Sequence, residues 1–344
     1  MEIQEGGIKK MPFDLENYNE GITRRKINNK YEYYYIKNNK IVSTKDLNRI
    51  NKLGIPPAWE DVWISGDTKS PIQATGIDSK GRKQYRYHQE HIEQAEKDKF
   101  LLLYDFIKEL PKLDKILNTH LKLNPYNKKK IIALMISIVK FTFMRVGKEI
   151  YAKENRSFGI SSLKKKHLKI IGNTVIFNFK GKSNQRLRYV INDSNLKNEL
   201  NLLLKLEGDK LFQYIDEYEQ IRRITDTDLN EYIKTYLGKD FTIKMFRTYG
   251  ANYYFVKSLL RETRKRLPKN EKKIKKNILN AFKSTIIKLK HTKSVSKKSY
   301  VINFIINMYY NNPTYFIERK NDNTNEVLLD LLRKYKKEIL EVSK

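Results

Sequence analysis

Over roughly the first 95 positions, hydrophobic and polar residues alternate in short runs, and beyond them the pattern changes to a helical period. KYEYYYIK and KIVS flank Asn38-Asn39, while IQATGID and RKQYRYH flank Ser79-Lys80-Gly81. Aromatic and β-branched runs broken by turn formers predict two hairpins. Between them GIPPAWEDVW holds two prolines, which forbid helix and predict an extended connection anchored by Trp59 and Trp63. From His91, HIEQAEKDKFLLLYDFIKEL predicts a helix that stops at Pro111, and KKKIIALMISIVKFTFMRVGKEIYAKEN predicts a second, with Ile131, Leu134, Ile138 and Phe141 as its buried stripe. A β island, TVIFNF and RLRYVI about the turn Lys180-Gly181-Lys182-Ser183-Asn184, interrupts the helices. Helix resumes at DSNLKNELNLLLKL, at FTIKMFRTYGANYYFVKSLLRE, through the basic segment 264–290 and at YVINFIINMYY. These periods predict an α+β chain: a mainly β domain over 1–95 and a mainly α domain over 96–344 that contains a small β hairpin.

One stretch fits neither period. In HTKSVSKKSY, residues 291–300, only Val295 is apolar between His291 and Tyr300, so something other than packing sets this segment. Composition suggests what. Lys and Arg total 70 against 39 Asp and Glu, a formal charge of +31 on 344 residues, and the partner such a chain invites is a polyanion. With 40% hydrophobic and 12% aromatic residues it is too apolar for a disordered basic tail, and it is long enough to bury a core. No apolar run approaches the ~18 residues of a membrane span, and MEIQEGGIKKMPFDLE lacks the pattern of a signal peptide, so a soluble intracellular protein is expected. The absence of cysteine excludes disulfides, thiolate catalysis and cysteine-ligated zinc. Five histidines without HxxxH or HExxH spacing argue against a histidine metal site.

Two arginines occupy partly apolar helix faces. Arg145 continues the stripe that begins at Ile131, and Arg247 lies a turn from Ile243 and about two turns from Tyr254. A guanidinium in such a place needs an anion. That anion is either an internal carboxylate, for Arg145 the Glu149 at i+4, or a phosphate clamped by both forks. Lys182 is either an exposed turn lysine or a proton donor, His291 a surface histidine or an oxyanion partner, and Tyr300 a structural tyrosine or a nucleophile. As a set the five make a phosphoryl-transfer kit.

The ordered blocks SKGRKQYRY (79–87), RVGKEIYAKENRSFGISSLKKKH (145–167), FKGKSNQ (179–185), IKMFRTYGANYYF (243–255) and HTKSVSKKSY, together with GIPPAWEDVWIS, resemble the small type IB DNA topoisomerases of poxviruses, giant viruses and some bacteria. The resemblance implies a bilobed clamp closing around duplex DNA and acting as a monomer without cofactor. It implies that Tyr300 attacks a phosphodiester and becomes linked to the 3′ phosphate. Arg145, Arg247 and His291 would stabilise the pentacoordinate phosphorus, and Lys182 would protonate the departing 5′ oxygen. Religation from the phosphotyrosine would need neither ATP nor metal. GIDSKGRKQ has the glycine spacing of a P-loop without its Lys-Ser/Thr ending, consistent with no nucleotide site.

The resemblance also implies DNA contacts by Gln84, Tyr85 and Tyr87 of the N-terminal hairpin and by Lys148 and Tyr151 beyond Arg145. Arg86 stands where relatives carry an apolar or aromatic residue. The same five catalytic types serve tyrosine recombinases, but those carry a His-x-x-Arg box where this chain has Lys244-Met245-Phe246-Arg247. A non-catalytic basic DNA-binding protein would explain the charge and leave the ordered blocks unexplained. The polar 291–300 segment is expected to be mobile and to dock Tyr300 when DNA binds. Whether such an enzyme works in a cytoplasm or a virus particle is open at this point.

Overall fold

The computed structural model describes residues 20–291, 300–319 and 323–342. It divides into two units, Met1–Asp98 and Lys99–Lys344.

The first unit is built on a five-stranded antiparallel sheet of order β2-β1-β3-β4-β5. Its strands are β1 (Ile22–Ile27), β2 (Lys30–Tyr35), β3 (Glu60–Ile64), β4 (Ile72–Ile77) and β5 (Lys83–Tyr87). In the first hairpin KYEYYYIK pairs along its length backward with Ile22–Ile27, and forward with KIVS, as expected, only briefly, through Tyr35 N on Lys40 O at 2.9 Å and Val42 N on Tyr33 O at 3.1 Å. Asn28 and Asn29 take φ of 48° and 62°, as a two-residue turn with both central residues left-handed requires, and asparagine tolerates this at small cost. Ile41 of KIVS forms only an isolated bridge to Tyr34. GIPPAWEDVW also differs: past its prolines it becomes β3, between β1 and β4, where no ladder N–H is lost to proline. A short helix, α1 (Thr44–Lys52), is capped by Ser43 and adds Ile50 to the core of Ile22, Val62, Ile64 and Ala74.

Helix α2 (Gln89–His120) does not stop at Pro111. An internal proline costs about 3 kcal/mol; burial of Leu113 and Leu117 beyond it, at about 1.5–3 kcal/mol each, offsets that. Helix α3 (Lys128–Thr142) is buried nearly all round rather than on one stripe, and Phe141, expected inside, is 65% exposed. Lys130 on α3 is buried and reaches Glu199 Oε1 at 2.9 Å. The expected long second helix is broken. Phe143 caps α3 in the left-handed region, and helix starts again only at α4 (Glu149–Asn155).

The β island is three-stranded, β6 (Leu168–Ile171), β7 (Thr174–Lys180) and β8 (Arg186–Asn192) in sequential order, rather than a lone hairpin. At four residues β6 is too short to show a period. Helix α5 (Ser194–Lys205), the small strands β9 (Gln213–Ile215) and β10 (Ile221–Arg223), and α6 (Asp226–Leu237) follow. Helices α7 (Met245–Lys265) and α8 (Glu271–Leu289) pack together, with the rings of Phe255 and Phe282 4.9 Å apart. The chain continues through α9 (Asn303–Asn311), α10 (Thr314–Glu318) and α11 (Thr324–Val342). Among the described residues no helix is long and apolar enough to cross a membrane.

Candidate active site

Arg247 lies in the first turn of α7, with only 3% of its surface exposed. Its guanidinium meets no carboxylate among the described residues. Nη1 donates to the Phe143 carbonyl, Nη2 to the Leu289 carbonyl at 3.0 Å and to His291 Nδ1 at 3.3 Å, and Nε points to Tyr300 Oη at 3.4 Å. Four of the five guanidinium protons are thereby directed, and one on Nη1 is left over. A buried cation held by carbonyl dipoles keeps its full charge beside whatever it faces.

Arg145 lies in the loop 143–148, not on a helix face as the period suggested. Backbone bonds hold that loop: Ile160 N donates to Arg145 O and Ser161 N to Val146 O, both at 2.8 Å. Gly147, at φ +82°, lets it press against Gly159, where a Cβ would meet a backbone nitrogen at 2.5 Å. The carboxylate expected at i+4 is engaged elsewhere, since Glu149 pairs with Lys210 at 2.6 Å and Arg223 at 2.8 Å. The Arg145 side chain has no hydrogen bond or ion pair among the described residues, and so it is the open fork of the site.

His291 and Tyr300 bracket residues 292–299, which lie outside the described residues, as does the expectation that this segment is mobile. Both end residues are buried, and their rings stack with centroids 5.3 Å apart. Tyr300 is thus seated in the core beside His291. Asn252, fully buried on α7 and not singled out in the sequence, holds it there. Its Nδ2 donates to Tyr300 O at 2.8 Å, and its Oδ1 accepts from Ile302 N at 3.1 Å. The signal was an asparagine three and seven positions before Phe255 and Leu259 on a core stripe.

The charges work on one another. Burial opposes ionisation of the Tyr300 phenol, but Arg247, helped by Arg145 and Lys244, outweighs it, so its pKa lies below the ordinary 10. Burial, with the two arginines behind it, pushes His291 down to about 4 and keeps the imidazole neutral near pH 7. Because Nδ1 accepts from Arg247, the single proton sits on Nε2, and Nε2 is buried without a partner. Burial and the charge of Arg247 also lower the Arg145 pKa. Two guanidinium groups, an acidified phenol and an N–H without a partner among the described residues together make a surrounding that favours negative charge.

Lys182 occupies the turn between β7 and β8, exposed, and contacts none of those four residues. Ser183 and Asn184 beside it take φ of 60° and 62°. Lys148 caps α4 through its backbone, and Tyr151 on α4 is 47% exposed. In the first unit, Tyr85 and Tyr87 stack on one face of β5, rings 5.8 Å apart. By the alternation of a strand Gln84 falls on the other face, where it donates to Asp78 at 2.9 Å, so the three do not form one surface. Arg86 donates to Gly54 O at 2.6 Å and lies over the Trp59 ring.

The eukaryotic DNA topoisomerase I catalytic core model matches residues 81–318, and the bacterial DNA topoisomerase IB N-terminal domain model matches 30–78. DNA topoisomerase 1B of Acanthamoeba polyphaga mimivirus is 55% identical over 96% of this chain and 99% of its own length. The chain belongs to the type IB DNA topoisomerases. Among poxvirus members, DNA topoisomerase 1B of vaccinia virus (strain Copenhagen) is 29% identical over 73% of this chain and 76% of its own. A solved XerH site-specific recombinase bound to its difH substrate overlaps this topoisomerase at 16% identity and a TM-score of 0.33, over 59% of this chain and 52% of that one. That overlap is too loose to add to the fold.

Proposed function

We propose that this type IB topoisomerase relaxes supercoiled duplex DNA by transient cleavage of one strand through Tyr300, with the five predicted residues as its catalytic set. The observation that carries this reading is the single guanidinium of Arg247, which touches the phenol of Tyr300 and the imidazole of His291 while meeting no carboxylate. An anion brought between the Arg145 fork and His291 Nε2 completes the site.

Tyr300 Oη, ionised with the help of Arg247, attacks the phosphorus and forms the O–P bond while the bond from phosphorus to the 5′ oxygen breaks. The negative charge that grows on the nonbridging oxygens meets Arg145, the remaining Nη1 proton of Arg247 and the Nε2 proton of His291. Lys182 gives its proton to the leaving 5′ oxygen and takes it back on religation. The 3.4 Å contact from the Arg247 cation to the phenol is long for a hydrogen bond to a neutral hydroxyl, and a phenolate would draw it shorter. The phosphotyrosine keeps the energy of the broken bond, so resealing needs no ATP, and the arginines supply the positive charge a metal would otherwise bring. Lys148 and Tyr151 contact the duplex near the cleavage site, and Gln84, Tyr85 and Tyr87 of the N-terminal domain over 1–95 read its major groove. Domain 96–344 carries the chemistry. The enzyme acts as a monomeric clamp inside the cell, in the cytoplasm or within a virus particle.

The test is relaxation of a supercoiled plasmid in chelator without nucleotide. Wild type relaxes the plasmid, and Tyr300→Phe binds DNA with unchanged affinity and relaxes nothing. Normal relaxation by Tyr300→Phe excludes it as the nucleophile, and recombinant joints from the wild type would make the enzyme a recombinase.

A further inference from the structure

The five-residue set leaves a geometric gap: Lys182 sits on a hairpin turn and has no direct contact with the residues it must serve. The hairpin itself is tied down on both of its strands. On the β7 side, Phe158 N donates to Lys180 O at 2.7 Å. Phe158 belongs to the same short run, 158–161, whose amides hold the Arg145 loop. On the β8 side a side chain from the end of α8 adds a tie to the ladder and the buried residues of the strand. Lys290 Nζ donates to Arg188 O at 2.5 Å and lies 4.8 Å from the centroid of the Tyr189 ring. Tyr189 is itself buried and stacks on Phe179 of β7.

Lys290 is the residue before His291. It caps α8 in the left-handed region, with φ of 50° and its backbone N–H on Ile286 O. Its own backbone is therefore fixed by the helix, and its side chain crosses 102 positions of sequence to reach β8. The turn is rigid from β8 to its tip: Gly181 N donates to Gln185 O at 2.8 Å, and Gly181 packs so closely on Leu187 that a Cβ there would meet Leu187 Cδ1 at 2.4 Å. A displacement of β8 at Arg188 thus moves Lys182 with it.

We infer that Lys290 is a positioning residue for the proton donor: it ties the Lys182 hairpin to the segment that carries His291, closing a frame that runs Arg145, 158–161, β7, β8, Lys290, His291. The β8 strand is held to β7 by its ladder and by buried Leu187, Tyr189 and Ile191, and one charged hydrogen bond and one cation–π contact from Lys290 set where it stands relative to His291. The inference rests on Lys182 acting as the general acid. Lys290 touches no reacting atom.

The two claims separate on the leaving group. A thiolate leaves without protonation, so a duplex with sulfur in place of the bridging 5′ oxygen makes proton donation irrelevant while leaving attack by Tyr300 in force. We compare single-turnover cleavage of the oxygen and sulfur duplexes by wild type, Lys290→Met, Lys290→Arg, Tyr189→Leu and Lys182→Ala. General-acid catalysis is worth roughly 10²–10⁴-fold and a misplaced acid forfeits part of it. Lys290→Met should therefore cleave the oxygen duplex about 10-fold more slowly and the sulfur duplex within about twofold of wild type. Lys290→Arg restores the oxygen rate. Lys182→Ala shows the larger oxygen-specific loss, and adding Lys290→Met to it costs nothing further. Equal slowing of both duplexes by Lys290→Met, or no slowing at all, overturns the inference. Equal slowing by Lys182→Ala instead removes Lys182 as the acid, a separate failure. Should Lys290→Met not fold, Tyr189→Leu, which removes the ring under the ammonium, carries the same expectation and is overturned by the same results.

Discussion

Asn252→Ala isolates how the nucleophile is held. Asn252 is wholly buried and makes one donated bond to Tyr300 O and one accepted bond from Ile302 N, besides a bond from Nδ2 to Thr248 O at 2.9 Å within its own helix. Removing the amide strands a carbonyl and an N–H in an apolar core. At about 1–3 kcal/mol for each buried orphan, the loss is roughly 2–6 kcal/mol. For a unit of this size 1 kcal/mol corresponds to about 2–4 °C, so the melting temperature should fall by roughly 4–24 °C. The rate effect is separate. Phenol position is set by the backbone on either side of Tyr300, and a shift of about 1 Å in a reacting group can cost 10²-fold. Single-turnover cleavage at saturating enzyme, measured well below the new melting temperature, should drop by about that factor with DNA affinity unchanged. Asn252→Asp keeps the acceptor for Ile302 N but sets a carboxylate oxygen against Tyr300 O, and should be at least as slow as the alanine variant. A variant that melts early and yet cleaves at the wild-type rate would show that Asn252 supports the core and does not position Tyr300.

Gly147→Ala puts a Cβ into a left-handed backbone and 2.5 Å from Gly159 N; we expect at least about 2 kcal/mol of destabilisation and weakened cleavage through Arg145, read by melting and single-turnover rate. His291 has its folded pKa depressed to about 4, so its contribution to stability is complete above its ordinary value near 6.5 and is lost as pH falls toward 4. Denaturant unfolding at pH 7 and pH 4.5 should show wild type losing up to roughly 3 kcal/mol more than His291→Gln. An equal loss in both would mean that the imidazole is not held neutral by the fold. Lys148→Ala should weaken duplex binding alike on all sequences and lower the salt slope by about 1, while Gln84→Ala should alter cleavage-site choice without changing that slope.

Period and turn chemistry made the α+β class, the second hairpin and most helices legible. The exceptions have local causes. The break after Phe143 is one left-handed residue within a continuous apolar run, which periodicity reads as unbroken helix. Helix α2 passes Pro111 because leucines beyond it are buried by segments distant in sequence. Pairing of β2 with Ile22–Ile27 across Asn28-Asn29 was missed because that turn signal is no stronger than Asn38-Asn39, across which β2 also bonds briefly to KIVS. The candidate side chains were named from spacing and resemblance, whereas Asn252, Phe143 and Lys290 were missed because they act through contacts to residues 48–104 positions away.

By itself the sequence determined the charge, the family and which residues are the candidates for the chemistry, since these belong to residues and to their order along the chain. Only the tertiary structure decided that Arg247 is held by carbonyl dipoles rather than paired with a carboxylate, that Arg145 stands on a loop unpaired among the described residues, and that His291 presents Nε2. Those are properties of distance and burial, and the electrostatic strength of a group depends on what lies within a few ångströms of it and how much water has been excluded, which no position along a chain specifies.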